Sequence, residues 1–127
     1  MEASFLGNWM PARLSSIRAR INLLIRQGVK IVAKGYWVSV YEEVMDQSKL
    51  DAYAKLAGPA AGKGGGKPLV RGGECVAKEG LPASRTVIIE FDSFEAAKAT
   101  YDSPEYKEAL ATLSGGVRRN FRIVEGM

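Results

Sequence analysis

From residue 35 onward, apolar side chains recur with two periods, and each change of period marks a new element. Tyr36-Trp-Val-Ser-Val-Tyr is rich in β-branched and aromatic residues and predicts a strand from about Gly35 to Val44. Asp46 or Ser48 can then cap a helix whose apolar positions include Leu50, Tyr53, Ala54 and Ala57. Gly58-Pro59 is expected to break or bend that helix, with a shorter helical turn before Gly64-Gly-Gly. Lys67 to Val70 resumes as strand. Gly72-Gly73 predicts a tight turn, or a bulge in a long bent strand that continues through Cys75-Val-Ala-Lys. Glu79-Gly-Leu-Pro is a turn, and Arg85 to Phe91 is the clearest strand of the chain. Ser93 caps a helix through Phe94, Ala97 and Tyr101. Ser103-Pro104-Glu105 starts another, which runs to about Ser114 and ends at Gly115-Gly116. Phe121-Arg-Ile-Val is the last strand.

The order βαββαβ predicts an α+β, ferredoxin-like protomer, a four-stranded antiparallel sheet with helices on one face. Within each strand, parity assigns side chains to a face. Val87, Ile89 and Phe91 share one side and Ile88 takes the other. Tyr36, Val38 and Val40 oppose Trp37 and Tyr41. Both faces therefore carry apolar groups. The chain's own helices can cover one, and a second copy most simply covers the other, so a homodimer is expected.

Residues 1–32 stand apart from this domain, which spans 33–127. Leu14, Ile17, Ile21, Leu24 and Ile25 recur at helical spacing, with Arg13, Ser16 and Arg20 on another side. The segment reads as a helix flanking the domain, or as residues added by an upstream start codon. A mitochondrial presequence and a helix resting on a membrane surface or partner are the alternatives.

Charge follows the same division. The formal net charge is +4, and the extension supplies it, because Arg13, Arg18, Arg20, Arg26 and Lys30 face Glu2 alone. The domain is balanced, which argues against a nucleic-acid-binding surface. The chain has no histidine. That excludes Ser-His-Asp and Cys-His nucleophiles and histidine-ligated haem or zinc, and no cofactor or metal is expected. Cys75 is the single cysteine, so no intrachain disulfide can form, which fits a reducing, cytoplasmic setting. No apolar run approaches the roughly 18 residues of a membrane span.

Several residues invite chemistry. Gly58 to Lys67 is not a phosphate loop: its glycine spacing is one residue short, Gly64 stands where Ser or Thr should bind magnesium, and the segment follows a helix. Arg71-Gly72-Gly73-Glu74 is the most distinctive motif. Its glycines permit close backbone approach, and Arg71 can grip a ligand carboxylate in a bidentate fork or pair with an acid such as Glu90. Glu90 lies in a strongly apolar strand. Burial there would raise its pKa and suit it to general acid or base work, with Glu74 as a second candidate; a pairing with Arg71 or Arg122 is the plainer reading. Tyr36, Tyr101 and Tyr106, with Tyr53 and Trp37, can line a pocket or simply fill a core. Ser103 is a helix cap rather than a nucleophile, and Cys75 reads as an inert, partly buried thiol.

Lys34-Gly-Tyr-Trp-Val-Ser-Val, Leu69-Val-Arg-Gly-Gly-Glu, Val87-Ile-Ile-Glu-Phe-Asp-Ser-Phe-Glu-Ala-Ala and Tyr101-Asp-Ser-Pro-Glu-Tyr follow one another along the chain. Together they resemble the domain-of-unknown-function 1330 family, part of the dimeric α+β barrel superfamily, over about residues 34–127. The resemblance implies a small homodimer with a ferredoxin-like protomer and a cleft between sheet and helices. It supplies no accepted catalytic residues. The extension before residue 33 and a loose Gly62–Gly66 turn depart from the pattern. The expected function is binding of a small acidic or aromatic metabolite. Arg71, Gly72 and Gly73 would hold its anion, Tyr36, Tyr101 and Tyr106 would line the pocket, and Glu90 or Glu74 would move any proton. A non-enzymatic, stress-associated dimerisation module is the alternative.

Overall fold

A computed structural model describes residues 12–28, 32–82 and 85–127, with side chains from Ile17 onward. The chain divides after Val32. In the first unit, helix α1 spans Ala12–Arg26. Ile17, Ile21 and Leu24 recur along it at helical spacing, whereas the side chains of Arg13, Leu14 and Ser16 lie outside the described residues.

The second unit runs β1 (Gly35–Val44), α2 (Gln47–Lys63), β2 (Lys67–Arg71), β3 (Thr86–Phe91), α3 (Phe94–Tyr101), α4 (Pro104–Leu113) and β4 (Val117–Glu125). The strands form one sheet in the order β2-β3-β1-β4, and every neighbouring pair is antiparallel. This is the predicted βαββαβ, ferredoxin-like α+β arrangement. Its caps follow from the sequence. The side chains of Asp46, Ser93 and Ser103 accept from the backbone N–H of Lys49, Ala96 and Tyr106, and Pro104 occupies the first turn of α4.

Three local expectations are corrected. First, α2 does not stop at Gly58-Pro59 but continues to Lys63. Gly58 has no Cβ to meet the proline ring, and both Pro59 and Lys55, whose carbonyl loses its helical partner there, are exposed to water. Second, Cys75 to Lys78 is not strand. Among the described residues the one strand beside β2 is β3, which begins at Thr86, so β2 has no partner strand beyond Arg71. Gly72 (φ 65°) turns it away after a last bond from its N–H to the Thr86 carbonyl, 2.9 Å. Third, the Gly64–Gly66 turn is packed rather than loose. A Cβ on Gly66 would lie 2.8 Å from the Ala61 carbonyl oxygen, 2.9 Å from Ile89 and 3.0 Å from Phe91. Gly66→Ala is therefore expected to lower stability by about 1–3 kcal/mol in chemical denaturation, since the crowding atoms belong to backbone and core.

Register sets the two faces. On the helix side, Trp37 aligns with Ile89 and Ile123, Ser39 with Val87 and Phe121, and Tyr41 with Arg119. Trp37 is the hub of the core. Its ring lies 4.8 Å from Phe91, 4.7 Å from Tyr106 and 5.4 Å from Phe121, and its indole N–H donates to the Ala97 carbonyl at 2.8 Å. On the opposite face Tyr36, Val38 and Val40 align with Glu90, Ile88 and Thr86 of β3 and with Val124, Arg122 and Asn120 of β4.

Candidate functional site

Between α2 and the helix side of the sheet lies a cavity of about 430 Å³. Its size fits a small-molecule site. Small residues make the room: Ala54, Ala57, Gly58, Ala61 and Gly62 form the α2 wall, above a floor of Trp37, Ile89, Val87 and Phe121. The polar groups gather where β1 ends and β4 begins. Arg119, Tyr41, Tyr53, Ser39, Arg71, Arg85, Asp51 and Gln47 all face the cavity.

Arg119 organises this end. One guanidinium nitrogen, Nη1, donates to the hydroxyls of Tyr41 (3.0 Å) and Tyr53 (3.3 Å), and Nη2 donates to that of Tyr106 (3.4 Å). Its Cζ lies 4.9 Å from the Phe121 ring centroid, 5.0 Å from Tyr53 and 5.4 Å from Tyr41, within cation–π range of all three. Burial opposes its charge. The phenol oxygens of Tyr53, Tyr106 and Tyr41 outweigh that burial and raise its pKa, so the group stays guanidinium. Among the described residues no carboxylate pairs with it.

The hydroxyls around Arg119 are short of acceptors. The Tyr53 and Tyr106 oxygens are 2.5 Å apart, so one O–H serves the other. Burial, and then the proximity of Tyr53, push the Tyr106 pKa up, so Tyr106 remains a protonated donor. Arg119 donates to all three phenols, and only one of their O–H protons is used inside the cluster. Ser39 Oγ is buried and has no hydrogen-bond partner among the described residues. Unused donors surround a cation that has no carboxylate partner among the described residues. Such a space suits a carboxylate, which only accepts.

The residues singled out from the sequence scatter across this geometry. Arg71 lines the cavity. Tyr106 does not line it but hydrogen-bonds to Arg119 and Tyr53, which do. Tyr101 packs in the core, 5.2 Å from Tyr106 and 5.1 Å from Phe121, and does not line the cavity. Tyr36 and Glu90 sit on the opposite face of the sheet, where the Tyr36 hydroxyl donates to Glu90 at 3.0 Å. That carboxylate raises the Tyr36 pKa. Glu90 pairs with neither Arg71 nor Arg122. Gly73, Glu74 and Cys75 lie in the exposed segment after β2, so the Cys75 thiol is exposed rather than partly buried. Gly72 matters through its neighbour, because a Cβ there would overlap the Arg85 guanidinium.

The sequence reading missed Arg119, Ser39, Arg85 and Tyr41 as site residues. The signal for Arg119 was parity: it shares a strand face with Phe121 and Ile123 and therefore points at the helices.

A single four-stranded antiparallel sheet with its helices on one side defines the class, an α+β protein of ferredoxin-like fold. The chain belongs to the family described as Domain of unknown function (DUF1330), whose model matches residues 34–127. No protein of curated function matches it. Among solved structures it is similar to a protein of unknown function from Rhodopseudomonas palustris. That match has 16% identity and a TM-score of 0.63, covering 93% of this chain and 95% of the other. It is also similar to an ethyl tert-butyl ether (ethd) family protein from Bacillus halodurans, at 16% identity and TM-score 0.50, over 74% of this chain and 99% of that one. At these identities the likeness defines the fold alone. Among the described residues no helix is long and apolar enough to cross a membrane.

Proposed function

We propose that the protein is a homodimer that binds a small acidic or aromatic carboxylate in the cleft between sheet and helices. The observation that carries the reading is Arg119, a half-buried cation lining the cavity that bonds to phenols and, among the described residues, pairs with no carboxylate. Arg71 stands at the rim, where it can meet an incoming anion. Glu90 and Glu74 lie outside the cavity, so the reading routes no proton through them. An exposed free thiol at Cys75 suits a reducing compartment such as the cytoplasm.

A thermal-shift screen of the full chain against small carboxylates, with matched amides as controls, tests this. A ligand that binds only the folded state raises the melting temperature. Carboxylates are expected to stabilise the protein and amides are not. Indifference to every carboxylate would return the cluster to a purely structural role in a dimerisation module.

The homodimer is supported by the uncovered sheet face. Val40, Val70 and Val124 are 43%, 38% and 45% exposed there, around Val38 and Ile88 on the central strands. So many aliphatic groups on one flat surface favour a second copy over water. Light scattering should report a dimer. Val38→Asp should weaken it by roughly 100-fold, since a carboxylate at the centre of an apolar interface would be buried unpaired. A monomeric wild-type chain would overturn this part of the reading.

A further inference from the structure

The cavity holds more positive charge than one carboxylate needs. Arg119, Arg71 and Arg85 line it, against Asp51 alone. Among the described residues none of the three arginines has a carboxylate partner, and Asp51 itself accepts from Gln47 at 2.9 Å.

The arginines form two separate loci. The inner one is Arg119 with the unpartnered, buried Ser39 hydroxyl. Ser39 aligns with Phe121 across β1 and β4, and the Arg119 guanidinium lies over the Phe121 ring, so cation and hydroxyl reach the cavity from adjacent positions. The outer locus is Arg85 with Arg71. The Arg85 carbonyl accepts from the Tyr41 N–H at 2.8 Å, and its guanidinium packs on Gly72, where any side chain would displace it. Its Cζ lies 5.9 Å from the Tyr41 ring centroid, and that of Arg119 lies 5.4 Å from the same centroid. The two cations thus share the Tyr41 ring as a neighbour, and among the described residues neither has a carboxylate partner. This placement also explains the Arg71-Gly72 step singled out in the sequence, because Gly72 lets two arginines share one rim.

We propose that the ligand is a short dicarboxylate, one acid group seated on Arg119 and Ser39 and the other held at the rim by Arg85 and Arg71. The inference rests on the carboxylate reading above and narrows it to a dianion. Like charges held near each other in a cleft repel, and a ligand with one acid group leaves the outer pair unneutralised.

Isothermal titration calorimetry of the full chain with succinate, glutarate and adipate, each against butyrate, valerate and hexanoate, tests the proposal. At least one dicarboxylate should bind about tenfold or more tightly than its monocarboxylate counterpart, with a steeper loss of affinity as salt is added. Arg85→Gln, at an exposed position, should remove that margin, costing the dicarboxylates at least about tenfold more affinity than the monocarboxylates. Arg71→Gln should reduce the margin in part. Equal binding of both classes, or a margin that survives Arg85→Gln, would overturn the dianion assignment and leave the carboxylate reading standing. If no acid of either class binds, both fall.

Discussion

Arg119→Gln is expected to lower carboxylate affinity by roughly 100-fold, about 3 kcal/mol, while the protein stays folded. The loss follows from what the guanidinium does in the cavity. It is the inner cation, its remaining N–H groups have no acceptor among the described residues, and a charge-assisted bond in a half-buried site is worth more than a neutral one. The retained fold follows from opposing terms. The variant loses one ordinary and two long hydrogen bonds, of 3.0, 3.3 and 3.4 Å, and the packing of a cation on three rings. It also relieves the burial of a charge that has no counter-ion. The Tyr53–Tyr106 bond remains. The net change in stability should stay within about 2 kcal/mol. Calorimetry against the carboxylate giving the largest thermal shift, paired with urea denaturation, separates the two effects. A variant that unfolds without affecting the ligands of any surviving folded fraction would make Arg119 a structural residue.

Trp37→Ala is expected to have the largest effect on stability, a loss of about 3–5 kcal/mol. Trp37 is 2% exposed on β1, one of the two central strands, and touches rings from β3, α3, α4 and β4. Its removal opens a void bordered by four aromatic side chains and leaves the Ala97 carbonyl without its indole donor. Because Trp37 also forms cavity floor, Trp37→Phe is the informative companion. It keeps most of the volume, loses only the indole N–H and its edge, and should lose far less stability. Equilibrium urea denaturation followed by far-ultraviolet circular dichroism measures both. A loss below about 1 kcal/mol for Trp37→Ala would contradict the placement of the core.

Much of this fold was legible in the chain because its local signals agree with one another. Ser93 and Ser103-Pro104 start helices where the pattern places them, and the alternation around Trp37 and Tyr41 assigns β1 its faces. The errors came where tertiary context overrode local chemistry. Pro59 is tolerated because a glycine precedes it on a solvated helix face. Cys75 to Lys78 has strand composition but no strand beside it. The glycine-rich turn at Gly64–Gly66 looked loose in sequence and is tightly packed in space, because the residues that press on it, Ile89, Phe91 and Thr100, are far along the chain.

The site was harder to read than the fold. Arg71 was visible from its glycine neighbours. Arg119 sits in Val117-Arg-Arg-Asn, which has the look of a solvated strand end, and only the phase of Phe121 and Ile123 shows that the second arginine turns inward. Glu90 drew notice for its apolar strand, yet the same phase places it with Ile88, away from the helices. Ser39 carries no sequence signal of its own. Its meaning appears only once its burial and missing partner are seen.

The most direct test of the carboxylate site is the Arg119 side-chain Nε–H resonance in a proton–nitrogen correlation spectrum, assigned through its loss in Arg119→Lys and followed as hexanoate and adipate are added. A saturable shift of that resonance, with the dissociation constant found by calorimetry, is the predicted result. An Arg119 signal that stays still while these acids bind elsewhere, or fail to bind, would contradict it.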